Sequence, residues 1–528
     1  MKGVFVVAVT LLFFASQVPA VEYFVATYGD NSNDGRSVNA PWRTIQHAIN
    51  RTGPGDTINI RAGTYRGSLL INTHQGGEEN RYKTLRAYNS EKVYVKGSRL
   101  VTGWIMENDG IYRKEGWGVN SQQVFVNGQP LQQIGWPDEA FTDRAHGALY
   151  GPDRKYWEVG TGKADLVDDS FPHGAFYYDR QTGTLYVRLS NGEDPNSKVM
   201  EASYWTRPMQ SRAPYVRLQG LTFLHSNSLD VSEYLSGVLI EGHHTIMEQC
   251  VVARMDFGGV AIMPGAESVI IRNSVITQNG NNGIATNHGR NFRITGNTIT
   301  ANNYRNFNAG WHAGGIKSAG ISHGLIYNND ISYNRGDGIW WDVGGGDWGG
   351  NTVTISQNFL RFNNNGRNPD GVPHGNAAIH YEISKNGRIF SNVIIGGRRG
   401  IYLSASSDTF VADNTITNVD ERGGMAGIEL GGVPRAGYEA SRNRIYRNAI
   451  RNTRGTWAAD YRELRTVMRE DAAGNYIDDN IYYRKGYSTV FALKGDPDNG
   501  YPHVNVTTLS LWKQRNSGGF DRNSRLEP

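Results

Sequence analysis

The chain of 528 residues has one cysteine, Cys250, so it can close no internal disulfide and offers no cysteine cluster for a metal. The setting of that cysteine, TIMEQCVVA, reads as core. Excess charge is also missing. Lys and Arg number 54 against 50 Asp and Glu, a net charge of +4, which argues against a dedicated nucleic-acid binder and leaves only a slight bias toward acidic partners. After the first twenty residues no stretch approaches the ~20 apolar residues that span a bilayer. The opening itself, MKGVFVVAVTLLFFASQVPA, combines a lysine, an apolar run and a Val18-Pro19-Ala20 ending. Residues 1–20 are therefore expected to be a secretory signal peptide cleaved after Ala20 rather than an anchor. The mature protein is expected to be soluble, outside the cell or in the periplasm, and free of membrane.

What the chain has in abundance is glycine, 65 residues, with 28 Tyr and 12 Trp. Glycine well above the usual ~7% points to many tight turns. Tyr and Trp in such numbers suit stacking on sugar rings, although aromatic core is their commoner use.

One short pattern recurs, an alternating β-type run followed by Asn, one residue and an aliphatic. It appears at Asn273 (IIRNSVI), Asn297 (FRITGNTI), Asn329 (LIYNNDI), Asn358 (VTISQNFL), Asn392 (RIFSNVI), Asn414 (FVADNTI) and Asn448 (IYRNAI), with weaker forms around Gly220 and Gln249. Period-2 strands recurring every 22–34 residues, with length changes confined between them, predict a solenoid. The Asn is expected at a bend, where it tolerates left-handed geometry and can bond its neighbour in the next coil. The fold class is all-β, a right-handed parallel β-helix. A β-propeller would need about four strands per ~40-residue blade, and these units are too short.

PWRTIQHAIN, with Ile45, Ala48 and Ile49 at helical spacing, predicts an N-terminal cap helix, and DTINIRAGTYRG the first coil. Residues 101–205 break the pattern. They hold VFVNGQPL, with an Asn-Gly hairpin turn, and a second hairpin in AFYYDRQTGTLYVRL, and so predict an inserted antiparallel β-domain. The expected organisation is cap and first coils over 21–100, the insertion over 101–205, the main β-helix over 206–480 and a C-terminal tail over 481–528 packing on it.

A second motif, a small residue then an aliphatic, occurs once per coil in GIATN, GIKSA, GIWWD, AIHYE, GIYLS and GIELG. If Ile284, Ile316, Ile339, Ile379, Ile401 and Ile428 point inward, alternation sends the next residue outward. One outward column then holds Ala285, Lys317, Trp340, His380, Tyr402 and Glu429. A second holds Asn287, Ala319, Asp342, Glu382, Ser404 and Gly431. Trp341 and Tyr381 read as packing. Asp342 and Glu382 fall on neighbouring strands about 5 Å apart. Two carboxylates that close repel unless one keeps a proton, and an ionised acid beside a protonated one is what retaining glycoside hydrolysis requires. Solvent-facing acids on a solenoid are usually plain solvation, but outward aromatics beside them are not explained that way. Lys317, Trp340, His380, Tyr402, Glu429 and Asn287 are the expected substrate-binding neighbours. Trp311 and His312, in GWHAGGIK, sit in a turn at the cleft edge and are expected to bind the sugar as well.

The inserted β-domain, GIWWD and AIHYEISKNGRIFSNVI resemble glycoside hydrolase families 120 and 141, which include β-xylosidase, xylanase and fucosidase activities. The resemblance implies that Asp342 is the nucleophile and Glu382 the general acid/base. It implies a poly- or oligosaccharide substrate of plant or bacterial origin. No motif in the chain calls for a cofactor, and a monomer is expected although the sequence does not fix the oligomeric state. Two other readings stay open. GIKSAGISHGLIYNN resembles the lysine-bearing coil of β-helix lyases, where Lys317 would abstract the proton α to a uronate carboxyl group and Ca2+ would neutralise that group. The third is a non-catalytic glycan-binding solenoid. DNSNDG at 30–35 lacks the acidic residue that a calcium loop carries at its twelfth position and reads as a turn.

Overall fold

Aliphatic residues at alternate positions line the inside of three long sheets, each of thirteen strands. A coil contributes one strand to each. Ile270–Arg272, Val275–Thr277 and Asn282–Asn287 are successive strands of the first, second and third sheets, and the next coil repeats them at Phe292–Thr295, Thr298–Thr300 and Gly314–Ala319. Pairing between coils is parallel and in register. Ile271, Ile294, Ile326, Ile355 and Ile389 stack on the first sheet's inner face, and Ile276, Ile299 and Ile331 on the second's, all fully buried. Each such side chain contributes roughly 1.5–3 kcal/mol of burial. The result is a right-handed parallel β-helix. The computed structural model describes residues 20–135, 163–167, 171–228, 236–344 (except 308, 311, 321 and 322), 353–364, 375–417, 419, 427–431, 434, 437–452, 464–466, 475–484, 491–493, 504–506, 510 and 522–527.

The bend between first and second sheets divides between two residues what one Asn was expected to do. The first is left-handed, as at Asn273 (φ 49°), Gly296 (φ 65°), Asn328 (φ 54°), Gln357 (φ 54°) and Ser391 (φ 55°). The second is a buried rung. Asn297 Oδ1 accepts from Ser274 N, while its own Nδ2 donates to Ile271 O and to Asn329 Oδ1, all within 3.0 Å. The ladder continues through Asn329, Asn358, Asn392, Asn414, Asn448 and Asn480. Asn273 is therefore corrected. It is the exposed left-handed residue, and Ser274 holds the rung beside it. Cys250 is the rung before that, taking Ser274 Oγ on its backbone N–H. A second ladder, Asn279–Asn302–Asn334–Asn363, closes the bend between second and third sheets.

Helix Ile45–Arg51 covers the N-terminal end, with Ile45, Ala48 and Ile49 buried and the Thr44 side chain accepting from His47 N. A strand already precedes it, since Glu22–Val25 pairs with Thr57–Ile60. Lys83, fully buried, donates to the carbonyls of Ile49, Thr52 and Gln75 at 2.8 Å each, tying the helix end down. The coils also run beyond the expected boundary. Ile481–Arg484 and Arg525–Glu527 extend the second sheet and Phe491–Leu493 the third, so the last segment is part of the solenoid as well as a tail. Of residues 1–20 only Ala20 lies within the described part.

The insertion interrupts a continuous stack, because Met209–Ser211 pairs directly with Leu69–Ile71. It forms a four-stranded and a five-stranded sheet around Trp104, Phe176, Leu185, Val187 and Met200. Asn127 (φ 47°) and Gly128 (φ 77°) make its first hairpin turn, and Gly174–Asp179 with Thr184–Leu189 its second hairpin. The domain docks on the bend that leads into the third sheet. Phe125 stacks on His225 with ring centres 3.8 Å apart, Gln122 N donates to Asn227 Oδ1, and Arg305 reaches Gln133.

Candidate active site on the third sheet

Strands Asn282–Asn287, Gly314–Ala319, Asp337–Asp342, Ile379–Glu382, Ile401–Ser404 and Ile428–Gly431 lie side by side in the third sheet. Their register aligns Ala285, Lys317, Trp340, His380, Tyr402 and Glu429 in one row and Asn287, Ala319, Asp342, Glu382, Ser404 and Gly431 in another. Ile339, Trp341, Tyr381 and Leu403 belong to the solenoid core. Asp342 and Glu382 are direct partners on adjacent strands, whose backbones are ~4.8 Å apart.

The first row is a continuous stack. Lys317 Nζ lies 3.3 Å from the Trp340 ring centre, and Trp340 stacks on His380 at 5.2 Å and 19°. His380 stacks on Tyr402 at 5.0 Å and 14°. The Arg399 guanidinium lies 4.1 Å from the Tyr402 ring centre and pairs with Glu429 at 2.7 Å. This corrects the expected role of the rings. Trp340 is only 8% exposed and lies between neighbours from the coils before and after it, so its faces are not platforms for a sugar. Lys317, His380 and Glu429 are buried too.

The two carboxylates differ from that floor, with side-chain exposures of 20% for Asp342 and 13% for Glu382. Their partners also differ. Asp342 Oδ2 is held by Lys317 Nζ at 2.8 Å, while its buried Oδ1 has no hydrogen-bond partner among the described residues. Glu382 Oε2 accepts from Trp340 Nε1 at 2.9 Å, with His380 Nε2 3.6 Å away. Burial holds the His380 imidazole below its ordinary proton affinity, opposed by the bond to Asp337.

Of the other expected residues, Asn287 is buried two strands from Asp342. His312 sits in the turn before Gly314 with φ 61°, and Trp311 lies outside the described residues. Sequence reasoning missed Asp337 and Arg399. Asp337 opens the DGIWWD strand opposite Gly314, and its signal was an acid where neighbouring coils carry Asn282 or Gly314. Arg399 stands in the turn GGRRG, outside the strand pattern that located the others. Asp30 accepts from Ser32 N and Asp34 from Arg36 N, the turn expected of DNSNDG.

Residues 236–416 match the family model described as the right-handed β-helix region. Pectate lyase PEL9 of Emericella nidulans is 33% identical over 90 residues, which span 16% of this chain and 22% of that protein. The solved complex of XylC with xylose superposes with a TM-score of 0.63 at 17% identity, covering 88% of this chain and 84% of that one. A structure described as a glycoside hydrolase gives 0.52 at 13% identity, covering 88% and 96%. At these identities the likeness is one of fold, and it agrees with the sheets, the ladders and the family model. The chain is a right-handed parallel β-helix protein.

Proposed function

We propose that this protein is a secreted glycoside hydrolase that cleaves poly- or oligosaccharides with retention, using Asp342 as nucleophile and Glu382 as acid/base. The observation that carries the reading is the pairing of two partly exposed carboxylates on adjacent strands, each with its own partner. The Lys317 ammonium holds Asp342 Oδ2 at 2.8 Å, which fixes the carboxylate in place and leaves Oδ1 to meet the anomeric carbon. One strand spacing leaves no room for water between nucleophile and sugar, which separates retention (~5–5.5 Å) from inversion (~6.5–9.5 Å). In the first step Asp342 attacks the anomeric carbon while Glu382 gives its proton to the departing oxygen. In the second, Glu382 takes a proton from water, which attacks the same carbon and releases Asp342. With the aromatic faces occupied, the sugar meets the carboxylates and the edges of the stacked rings. No step needs a metal.

Uronate β-elimination is the second reading, favoured by the 90-residue match to Pectate lyase PEL9. It asks Lys317 to act as a base, with Ca2+ neutralising the substrate carboxylate. The 2.8 Å pair with Asp342 opposes it, because a carboxylate there holds the ammonium's proton in place. The test uses aryl β-xylosides and α-fucosides beside uronate polymers. Proton NMR of the first product, with the same anomeric configuration as the substrate, supports the proposal. An inverted first product removes the retaining mechanism, and an unsaturated product together with loss of turnover in chelator moves the assignment to elimination.

A further inference from the structure

Asp337 is fully buried, and no step above uses it. Its Oδ1 accepts from the backbone N–H groups of Asn376 and Ala377, and its Oδ2 lies 3.0 Å from His380 Nδ1. A carboxylate accepts only, so Nδ1 must carry the hydrogen between them. The Asn376 amide also lies near Nδ1, at 3.5 Å, but the closer, charged acceptor decides the tautomer. The other ring nitrogen, Nε2, is then a bare lone pair. It is buried, has no hydrogen-bond partner among the described residues, and stands 3.6 Å from Glu382 Oε2.

We propose that Asp337 is a positioning residue that locks His380 in the Nδ1–H tautomer, so that the imidazole turns a lone pair toward Glu382 and keeps that residue protonated until substrate arrives. The inference rests on the reading of Glu382 as the acid. A lone pair facing a carboxylate disfavours its ionised form, and a protonated carboxyl removes the conflict. Burial of His380 works the same way, by keeping the ring neutral. Other charges facing the ring are accounted for. Lys317 is paired with Asp342 and Arg399 with Glu429, one at each end of the stack, and both cations further disfavour a charged imidazole. Trp340 Nε1 acts in the opposite sense, since its N–H stabilises the Glu382 carboxylate. Asp337 thus decides which nitrogen of His380, bare or protonated, faces the Glu382 carboxyl.

Asp337→Asn tests this with almost no change of shape. The Asn oxygen can keep the two backbone donors, which leaves an NH2 facing His380 Nδ1. The ring must then accept at Nδ1 and carry its hydrogen on Nε2, where it donates to Glu382. The measurement is NMR on full-length protein with 15N-histidine and 13C-carboxyl glutamate, with resonances assigned by His380 and Glu382 variants. In the parent, His380 should show a protonated Nδ1 and a bare Nε2. In Asp337→Asn the two should exchange, and the Glu382 midpoint should fall by about one pH unit. The alkaline limb of kcat/KM should move down with it. A parent whose Nε2 carries the proton overturns the inference even if the variant does not fold. So does an exchanged tautomer with an unmoved Glu382 midpoint. A parent that turns over no glycoside removes the hydrolase reading alone, because both NMR readouts stand without activity.

Discussion

Lys317 Nζ touches the candidate nucleophile and the first ring of the buried stack at once, 2.8 Å from Asp342 Oδ2 and 3.3 Å from the centre of the Trp340 ring. A cation only 3% exposed and held from two sides is a fixture of the site and not a free amine. Lys317→Met keeps the packing on Trp340 and removes the charge. Asp342 then loses its ion pair with Lys317, and kcat/KM should fall by roughly 10²–10³, equivalent to about 2.7–4 kcal/mol of transition-state stabilisation. Residual turnover should still give the retained product. Lys317→Arg should not restore the parent rate, because a planar guanidinium cannot place one donor on Asp342 and keep a compact charge over the ring.

Trp340 separates packing from chemistry. Removing the whole side chain empties the middle of a buried stack, so Trp340→Ala should lower the unfolding free energy by roughly 3–5 kcal/mol in denaturant titration. Trp340→Phe keeps a ring between Lys317 and His380 but loses the 2.9 Å donor to Glu382. Without that N–H the Glu382 carboxylate is less favoured, so the alkaline limb of kcat/KM should move to higher pH. Movement in the other direction means that the indole N–H does not stabilise the ionised form.

The Asn ladder makes a stability contrast within one motif. Asn329→Ala removes an acceptor that serves Asn297 N and Asn297 Nδ2, and a donor to Ile294 O and Asn358 Oδ1. Several buried polar groups lose partners at once, at about 1–3 kcal/mol each when left unpaired. Asn273→Ala touches no rung. Its cost should stay near 1 kcal/mol, the strain of a left-handed residue. Equal losses in the two variants, measured by denaturant midpoint, mean that the rung assignment is wrong.

That contrast also shows what was legible in the sequence. Strand alternation fixes which residues face outward, so the register of Lys317, Trp340, Asp342, His380 and Glu382 follows from the repeat alone, because a slip of one residue would turn Trp341 and Tyr381 out of the core. The anchor at Asn273 misled because Ser274 does the rung's work there, and serine carries no repeat signal. Burial was not legible either. Alternation says which side of a sheet a ring stands on, not whether its neighbours stack over both faces, so Trp340 and Tyr402 read as platforms. Asp337 stands in register two residues before Ile339, but its role lies in a bond to His380 that alternation does not show, and Arg399 stands in a turn outside the strand period.

His225 makes stability depend on pH. It is fully buried against Phe125, with Nδ1 2.8 Å from Ser98 Oγ, and burial holds its proton affinity well below the ordinary histidine value. As pH falls through ~6.5 the unfolded chain takes up a proton that the folded chain refuses. The unfolded state then binds more protons, and the sign of linkage makes stability fall with pH. One such histidine costs about 1.4 kcal/mol one unit below the unfolded value. The denaturation midpoint should therefore drop between pH 7 and 5.5, and His225→Gln should flatten that slope. A slope unchanged by the substitution assigns the acid sensitivity elsewhere.

The roles given to the two carboxylates separate cleanly by leaving group. Glycosides with poor leaving groups need a proton on the departing oxygen in the first step, whereas activated aryl glycosides do not. Glu382→Ala should slow the former by roughly 10²–10⁴ and the latter far less. On activated substrates it should accumulate the glycosyl-enzyme, because the second step has lost its base. Azide needs no deprotonation, so it should restore turnover in Glu382→Ala and give a glycosyl azide of the substrate's own anomeric configuration. Asp342→Gly should show no turnover by itself. Azide can occupy the space the carboxylate leaves and attack the anomeric carbon once, so the product there should be the inverted azide. Product configurations read by NMR decide the assignment. Inverted azide from Glu382→Ala and retained azide from Asp342→Gly would exchange the two roles, with Glu382 as nucleophile and Asp342 as acid/base.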